Sequence, residues 1–332
     1  MANDAVVSSQ PKLDQETQSH DPKSLQRNPK FWLDGGSVIL RIGNDAFKVH
    51  RTLLYRHSLA LPSWPVDPGT ELSEGCGVVS IPPHHDISAA DVEALLEYLY
   101  HDKPLSADSP FPHVASVFRT TSKRQLDLPS VHAIARERLE SMFPSGPQPF
   151  SHPDNLEDAL ELALEYQISS IQKGLFYSLV TTATLHEEEE ETSAFAHLQD
   201  PTTQSEVPDP TNHLDQKLSP AVRQRASQLM HSIMGHFTPI LFTVATAEHM
   251  ECTDIFADAW MPLVIQPALE SDGVYKPLET LQNIINVDWE AQGLCQSCTR
   301  LKREEWRAEQ EDIWNRVDEW LELKPTEAPD KS

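Results

Sequence analysis

The sequence predicts a small α+β domain followed by an all-helical C-terminal domain. Three patterns carry this expectation. Residues 37–50 alternate and reverse as a β-hairpin does. From residue 88 onward, apolar residues recur mainly at helical spacing. Between the two regimes, residues 144–153 hold four prolines and a glycine, a composition that marks a linker or a tight boundary. The expected division is a disordered tail at 1–30, the α+β domain at 31–144, a linker at 145–153 and the helical domain at 154–325. An acidic disordered insertion is expected at about 186–217 and a second tail at 326–332.

Residues 1–30 are polar, with four acids and four bases, which is tail-like. Val38, Ile39, Leu40 and Ile42 form an apolar, largely β-branched run. Gly43, Asn44 and Asp45 tolerate the positive φ of a tight reversal. Phe47 and Val49 then fall on one face and Lys48 on the other, completing the hairpin signal. Leu53, Leu54 and Tyr55 begin a short helix. Pro62 and Pro65 exclude a helix interior from the segment that follows. Residues 77–81 read as another strand, ended by Pro82 and Pro83. Ser88 and Asp91 have capping-box spacing, with Asp in the usual place of Glu. Val92, Leu95, Leu96, Leu99 and Tyr100 make the apolar stripe of that helix. A helix is expected near residues 114–122. Another starts at Pro129, which suits a first turn, with Val131, Ile134, Ala135, Leu139, Met142 and Phe143 as its stripe.

In the helical domain, Leu156, Leu160, Leu164, Ile168, Ile171, Leu175, Phe176 and Leu179 predict two helices meeting near residues 167–170. Residues 185–219 carry nine acids and one base, a net of −8, the mark of a solvated or disordered insertion. Ser219 caps the next helix and Pro220 opens it, with Val222, Ala226, Leu229, Ile233 and Phe237 on one face. A shorter helix is expected around 255–261. The last spans about 300–323, with Trp306, Ile313, Trp314, Val317, Trp320 and Leu321 on one side.

Asp34, the strand after it, then Phe47, Lys48, Val49, His50, Arg51, Thr52, Leu53, Leu54 and Ser58 resemble, in fixed register, the opening of a BTB/POZ domain. The unit from Val78 to Tyr100 resembles a later part of that domain. The chain is most similar to the basidiomycete-type fungal BTB-domain proteins. The resemblance implies a small sheet packed on a cluster of helices. It also implies work by protein–protein association: self-dimerisation, adaptor binding or recruitment to a cullin-type ubiquitin ligase. Asp34 and Arg51 match a charged pair that lines a partner-binding groove, where such a pair sets register and specificity. The alternative is a strand-entry acid and a surface base, contributing about 0–1 kcal/mol if they pair in water. His50 belongs to the same motif and reads as a hydrogen-bonded structural imidazole. The family's second helix would fall at residues 59–65, a segment too short to hold it. Either the helix is missing or a short coding piece is absent from the sequence. Each large side chain thereby left exposed forfeits about 1.5–3 kcal/mol of burial, so a less stable domain, or a partner over the gap, is expected.

The net charge of −25 and the lack of a basic run argue against direct nucleic-acid binding. No apolar run approaches the roughly 20 residues of a membrane helix, and residues 1–30 lack a signal-peptide core. A cytoplasmic or nuclear protein is expected. Its four cysteines are too few for a secreted disulfide scaffold. His249 with Cys252, and Cys295 with Cys298, offer one imidazole and three thiolates, a tetrahedral zinc set able to staple two helices. Asp254 would be a substitute ligand. Free thiols, with no cofactor, are the plainer reading. A redox pair is discounted because the CxxC does not open a helix after a strand. Enzyme motifs are absent: no phosphate-cradling glycine loop, nucleophile elbow or HExxH occurs. The reading is therefore a non-enzymatic adaptor or scaffold with protein partners. The rivals are a zinc-dependent enzyme using the Cys/His cluster, and a subunit of a nuclear regulatory complex without direct DNA contact.

Overall fold

The computed structural model describes residues 26–66, 75–82, 85–148, 150–182 and 219–323. The expected disorder of residues 1–25, the acidic insertion at about 186–217 and the tail at 326–332 lie outside the described residues. The chain forms a mixed α/β structure with one small sheet and many helices, divided into two compact units. The first is Met1–Leu105 with Ser116–Ile134, and the second is Ser106–Ala115 with Ala135–Ser332.

The first unit is built on four strands, β1 (Gln26–Trp32), β2 (Val38–Ile42), β3 (Asp45–Val49) and β4 (Gly77–Ser80), in the order β1-β3-β2-β4. The hairpin pairs Val38 with Val49 through Ile42 with Asp45. Gly43 takes φ +55 in the turn, a conformation that favours glycine. β4 runs parallel to β2, and β1 parallel to β3 with a register shift between Arg27 and Trp32.

β1 corrects one expectation, because residues 26–30 belong to a strand and not to a tail. The strand lies at the sheet edge, the place that tolerates Pro29. Side chains fix it there. Asn28 donates to Glu93 at 3.0 Å, and Lys30 Nζ lies 2.7 Å from Glu97 Oε1, which Lys103 also meets at 2.9 Å. Burial pushes the Glu97 carboxyl up, but the Lys30 and Lys103 ammonium groups outweigh it and hold the pKa below its ordinary value. With β1 in place, β3 is an inner strand, and its residues 46–49 are buried on both faces. Lys48, on the face opposite Phe47 and Val49, is only 6% exposed. Gly36 lies so close to it that a Cβ would stand 2.7 Å from Lys48 Cγ.

Helix α1 (Arg51–His57) follows the hairpin. Residues 59–65 then form only a short 3-10 turn at Leu61–Ser63. Ser58 anchors this turn: its hydroxyl donates to the Leu126 carbonyl and accepts from the Leu61 N–H. Leu61 is fully buried, whereas Leu59 remains 69% exposed. α2 (Ala89–Leu99) carries the expected capping box, with Ser88 and Asp91 reciprocally bonded, and Arg119 also holds Asp91 at 2.8 Å. Leu40, Phe47, Val49, Val79, Val92, Leu95 and Leu96 supply the core. Ile39, Ala46, Cys76 and Val78 form a separate apolar cluster, covered by Trp32. α3 (Phe111–Thr121) and α4 (Pro129–Glu140) follow, each divided between the two units. Ile134, expected on the buried stripe of α4, is 45% exposed.

In the second unit, α5 (Leu156–Glu165) and α6 (Ser169–Thr182) meet at Gln167, which has φ +52. α7 (Pro220–Phe242) starts at the Ser219 cap and buries the expected face. α8 (Met250–Trp260) is longer than expected. It continues through a π-turn at Met261–Ile265 into α9 (Gln266–Glu270), and Pro262 and Pro267 lie inside this continuous run, each removing one backbone N–H from its ladder. α10 (Pro277–Asn286) was not expected from the sequence, although Leu278, Leu281, Ile284 and Ile285 make a buried face. α11 (Gln296–Trp320) begins earlier than the expected residue 300. Trp306 packs with Phe256, Trp260 and the fully buried Trp289, while Trp314 meets Phe150 and Tyr177. No described helix is long and apolar enough to cross a membrane.

Candidate metal centre

Helices α8 and α11 each start with two potential metal ligands, at the N-cap and three residues later. His249 caps α8 and Cys252 lies in its first turn. Cys295 caps α11 and Cys298 lies in its first turn. Neither His nor Cys is a preferred N-cap. At Cys295 the sulfur does the capping, accepting the Cys298 N–H at 3.5 Å.

The two helix starts converge. Cys295 Sγ lies 3.3 Å from His249 Nδ1, Cys298 Sγ lies 3.5 Å from the same nitrogen, and the Cys252 and Cys295 sulfurs are 3.8 Å apart. All four donor atoms fall within 4.8 Å of one another. A regular tetrahedron with zinc bond lengths has S···S edges of about 3.8 Å and N···S edges of about 3.6 Å. The group could hold a metal ion. Asp254, the expected substitute, is exposed and outside the group.

The site already favours one thiolate. The Cys298 N–H, His249 and the neighbouring thiols lower the Cys295 pKa to about 6. Cys298 moves up instead, because burial and the adjacent Cys295 disfavour its charge. All four cysteines of the chain are free thiols. The CxxC opens α11, but a loop and not a strand precedes it, so it does not open a helix after a strand.

The other expected site residues lie in the first unit. His50 caps α1, and its backbone N–H and its Nδ1 both lie within hydrogen-bond distance of the Tyr100 hydroxyl, at 3.0 and 2.9 Å. Asp34 and Arg51 are both exposed. No ion pair joins them. The Arg51 guanidinium lies over the Tyr55 ring, 4.7 Å from its centroid.

Two further titratable clusters escaped the sequence reading. His236, Glu309 and Asp312 form a half-exposed group, but Arg316 donates to Asp312 at 2.5 Å and supplies the cation there. Glu279 accepts from the fully buried Tyr177 at 2.7 Å and meets His152 Nε2 at 2.7 Å, and His152 Nδ1 lies 3.2 Å from Ser178 Oγ. This Ser–His–Glu sequence of contacts is not a nucleophilic site, since Ser178 is fully buried inside α6. Burial raises the Tyr177 pKa and pushes Glu279 up. The bonds from His152 and Tyr177 nevertheless leave the Glu279 carboxyl below its ordinary value.

No protein-family model, curated protein or solved structure matches this chain.

Proposed function

We propose that this chain is a non-catalytic, intracellular interaction protein, a BTB-type adaptor or scaffold whose helical unit is fastened by one structural zinc ion. The observation that carries the zinc assignment is the placement of four protein donors, from two helix starts, at the edge lengths of a tetrahedral zinc site. Four protein ligands fill a tetrahedral zinc, whereas a catalytic zinc keeps a position for water or substrate. The same observation therefore favours a structural role over the enzymatic one. His249 and the three cysteines would hold the ion, and the ion would join α8 to α11.

The adaptor reading is supported by the order hairpin, helix, parallel strand, helix in the first unit. That order agrees with the BTB/POZ resemblance in residues 34–58 and 78–100. Asp34 and Arg51, exposed and not paired with each other, are free to meet partner charges. The expected partners are a second copy of the chain or a cullin-type ligase scaffold. Light scattering over a concentration series, with affinity capture read for cullin-type scaffolds, tests this on the wild type and on an Asp34→Ala/Arg51→Ala variant. Dimerisation or scaffold capture that the variant loses is the expected outcome. A monomer that captures no scaffold sinks the adaptor reading, and equal behaviour of both proteins removes Asp34 and Arg51 from the surface.

A further inference from the structure

The chain is strongly acidic, with 51 acids against 26 bases, yet three arginines of α11 gather at one cleft. Arg300, Arg303 and Arg307 follow one another at i, i+3 and i+7 on α11, the spacing of one helix face over two turns. All three line a single cleft of about 640 Å³. Arg303 is anchored: Nε and Nη2 each donate at 3.1 Å, to the carbonyls of Ile285 and Val287. A guanidinium has five N–H donors, so this anchoring leaves some of them unused. Arg300 has only Glu304 at 3.9 Å, a distant exposed pair, and Arg307 has no hydrogen-bond or ion-pair partner among the described residues.

Thr299, 1% exposed, belongs to the same cleft wall, and its hydroxyl has no hydrogen-bond partner among the described residues. Ser297 lines the opening beside the helix start, where the first-turn N–H groups and the helix dipole favour an anion. Glu290 is the one carboxylate in the wall, against three guanidinium groups.

We propose that this cleft binds a phosphorylated side chain on a segment of a partner protein, a proposal that rests on the interaction-protein reading. Arginine forks suit a tetrahedral, doubly charged group that can be engaged from several sides. Arg300 and Arg307 are separated by about 10 Å of helix rise. Their long side chains can therefore approach one phosphate from opposite ends while Arg303 holds the middle. The cleft of about 640 Å³ is much larger than one phosphate group, which leaves room for the residues that flank a phosphorylated side chain.

The test is fluorescence anisotropy of the zinc-loaded full chain with a short labelled peptide carrying one phosphoserine. The same peptide without phosphate and inorganic phosphate as competitor complete the set. Arg300→Ala/Arg307→Ala changes two exposed side chains, and circular dichroism checks that its fold is kept. The expected result is binding that weakens at least tenfold in the double variant and at least tenfold without the phosphate, with inorganic phosphate competing only weakly. Equal binding of both peptides, undiminished binding by the variant, or no binding by the wild type would overturn the proposal. Inorganic phosphate binding as tightly as the phosphopeptide would also overturn it, by making a free phosphate the occupant. The adaptor reading is tested separately on Asp34 and Arg51, so either can fail without the other.

Discussion

His249 and Cys295 hold the same position on two different helices. Each is the N-cap residue, and the sulfur of one lies 3.3 Å from Nδ1 of the other. Each helix repeats the arrangement three residues on, with Cys252 and Cys298. Two helix starts with positive dipole ends would repel at close range, and a thiolate-rich cluster between them offsets that. The expected consequence is one zinc per chain by elemental analysis after purification, lost in Cys298→Ser and kept in Cys76→Ser. With free zinc at a hundredfold its Kd, binding would stabilise the native state by about 2.7 kcal/mol. Chelation should therefore lower the unfolding temperature of the wild type and leave that of Cys298→Ser unchanged. A metal-free wild type with the same melting curve in chelator would contradict the assignment.

The turn that stands where the resemblance would put a helix separates two leucines sharply. Leu61 is fully buried and Leu59 is 69% exposed. Leu61→Ala should cost about 2–5 kcal/mol, the range for emptying a core site. Leu59→Ala should change stability by less than about 0.5 kcal/mol. Urea denaturation of both variants checks this, and similar losses in the two would mean that Leu59 is covered in solution by a partner surface.

Local signals were the legible ones. The hairpin turn, the Ser88/Asp91 capping box and the Ser219–Pro220 helix start each depend on residues within a few positions of one another, and each formed as read. α10 escaped because its buried face is short and lies just after a proline. β1 escaped because Pro29 and its charged neighbours look tail-like, and what holds them is distant in sequence: pairing with β3, and Glu93 and Glu97 more than sixty residues away. The four metal-site residues were legible as ligand types at the right short spacing. Their meeting was not, since Cys252 and Cys295 are 43 positions apart and only the packing of α8 on α11 joins them. The Glu279 cluster had no local pattern at all, its partners lying 102 and 127 residues away.

The edge strand gives a truncation prediction. A chain beginning at residue 25 retains β1, and one beginning at residue 33 loses it. The shorter chain gives up Phe31, which is 2% exposed and packs with the Tyr100 ring at 5.9 Å, along with the Trp32 cover over Ile39 and Val78. It also leaves Glu97 without Lys30. Loss of the buried aromatic alone is worth about 3–5 kcal/mol. Thermal unfolding of the two truncated chains should place the shorter one clearly lower, and coincident transitions would show that β1 contributes nothing to the first unit.

Glu279 should make the second unit acid-sensitive. Its carboxyl is pushed up by burial but held below its ordinary value by His152 and Tyr177. A carboxyl with a depressed folded-state pKa contributes stability that is fully present above its unfolded pKa, about 4.3. That contribution is lost as the pH falls through the lower folded value, because the protonated acid gives up its charge-assisted bonds. Glu279→Gln should therefore unfold at a lower temperature than the wild type at neutral pH and lose less on acidification. Tyr177→Phe removes a buried hydroxyl that both donates to Glu279 and accepts the Leu278 N–H at 3.1 Å. It leaves the buried Leu278 N–H unsatisfied, at a cost of about 1–3 kcal/mol, and takes one bond from the partly exposed Glu279, which keeps His152. The check is the unfolding temperature from pH 7 down to pH 3 for the three proteins. An acid limb equally steep in the wild type and in Glu279→Gln would assign the acid sensitivity to other carboxylates, with Glu97, held below its ordinary value by Lys30 and Lys103, the next to test.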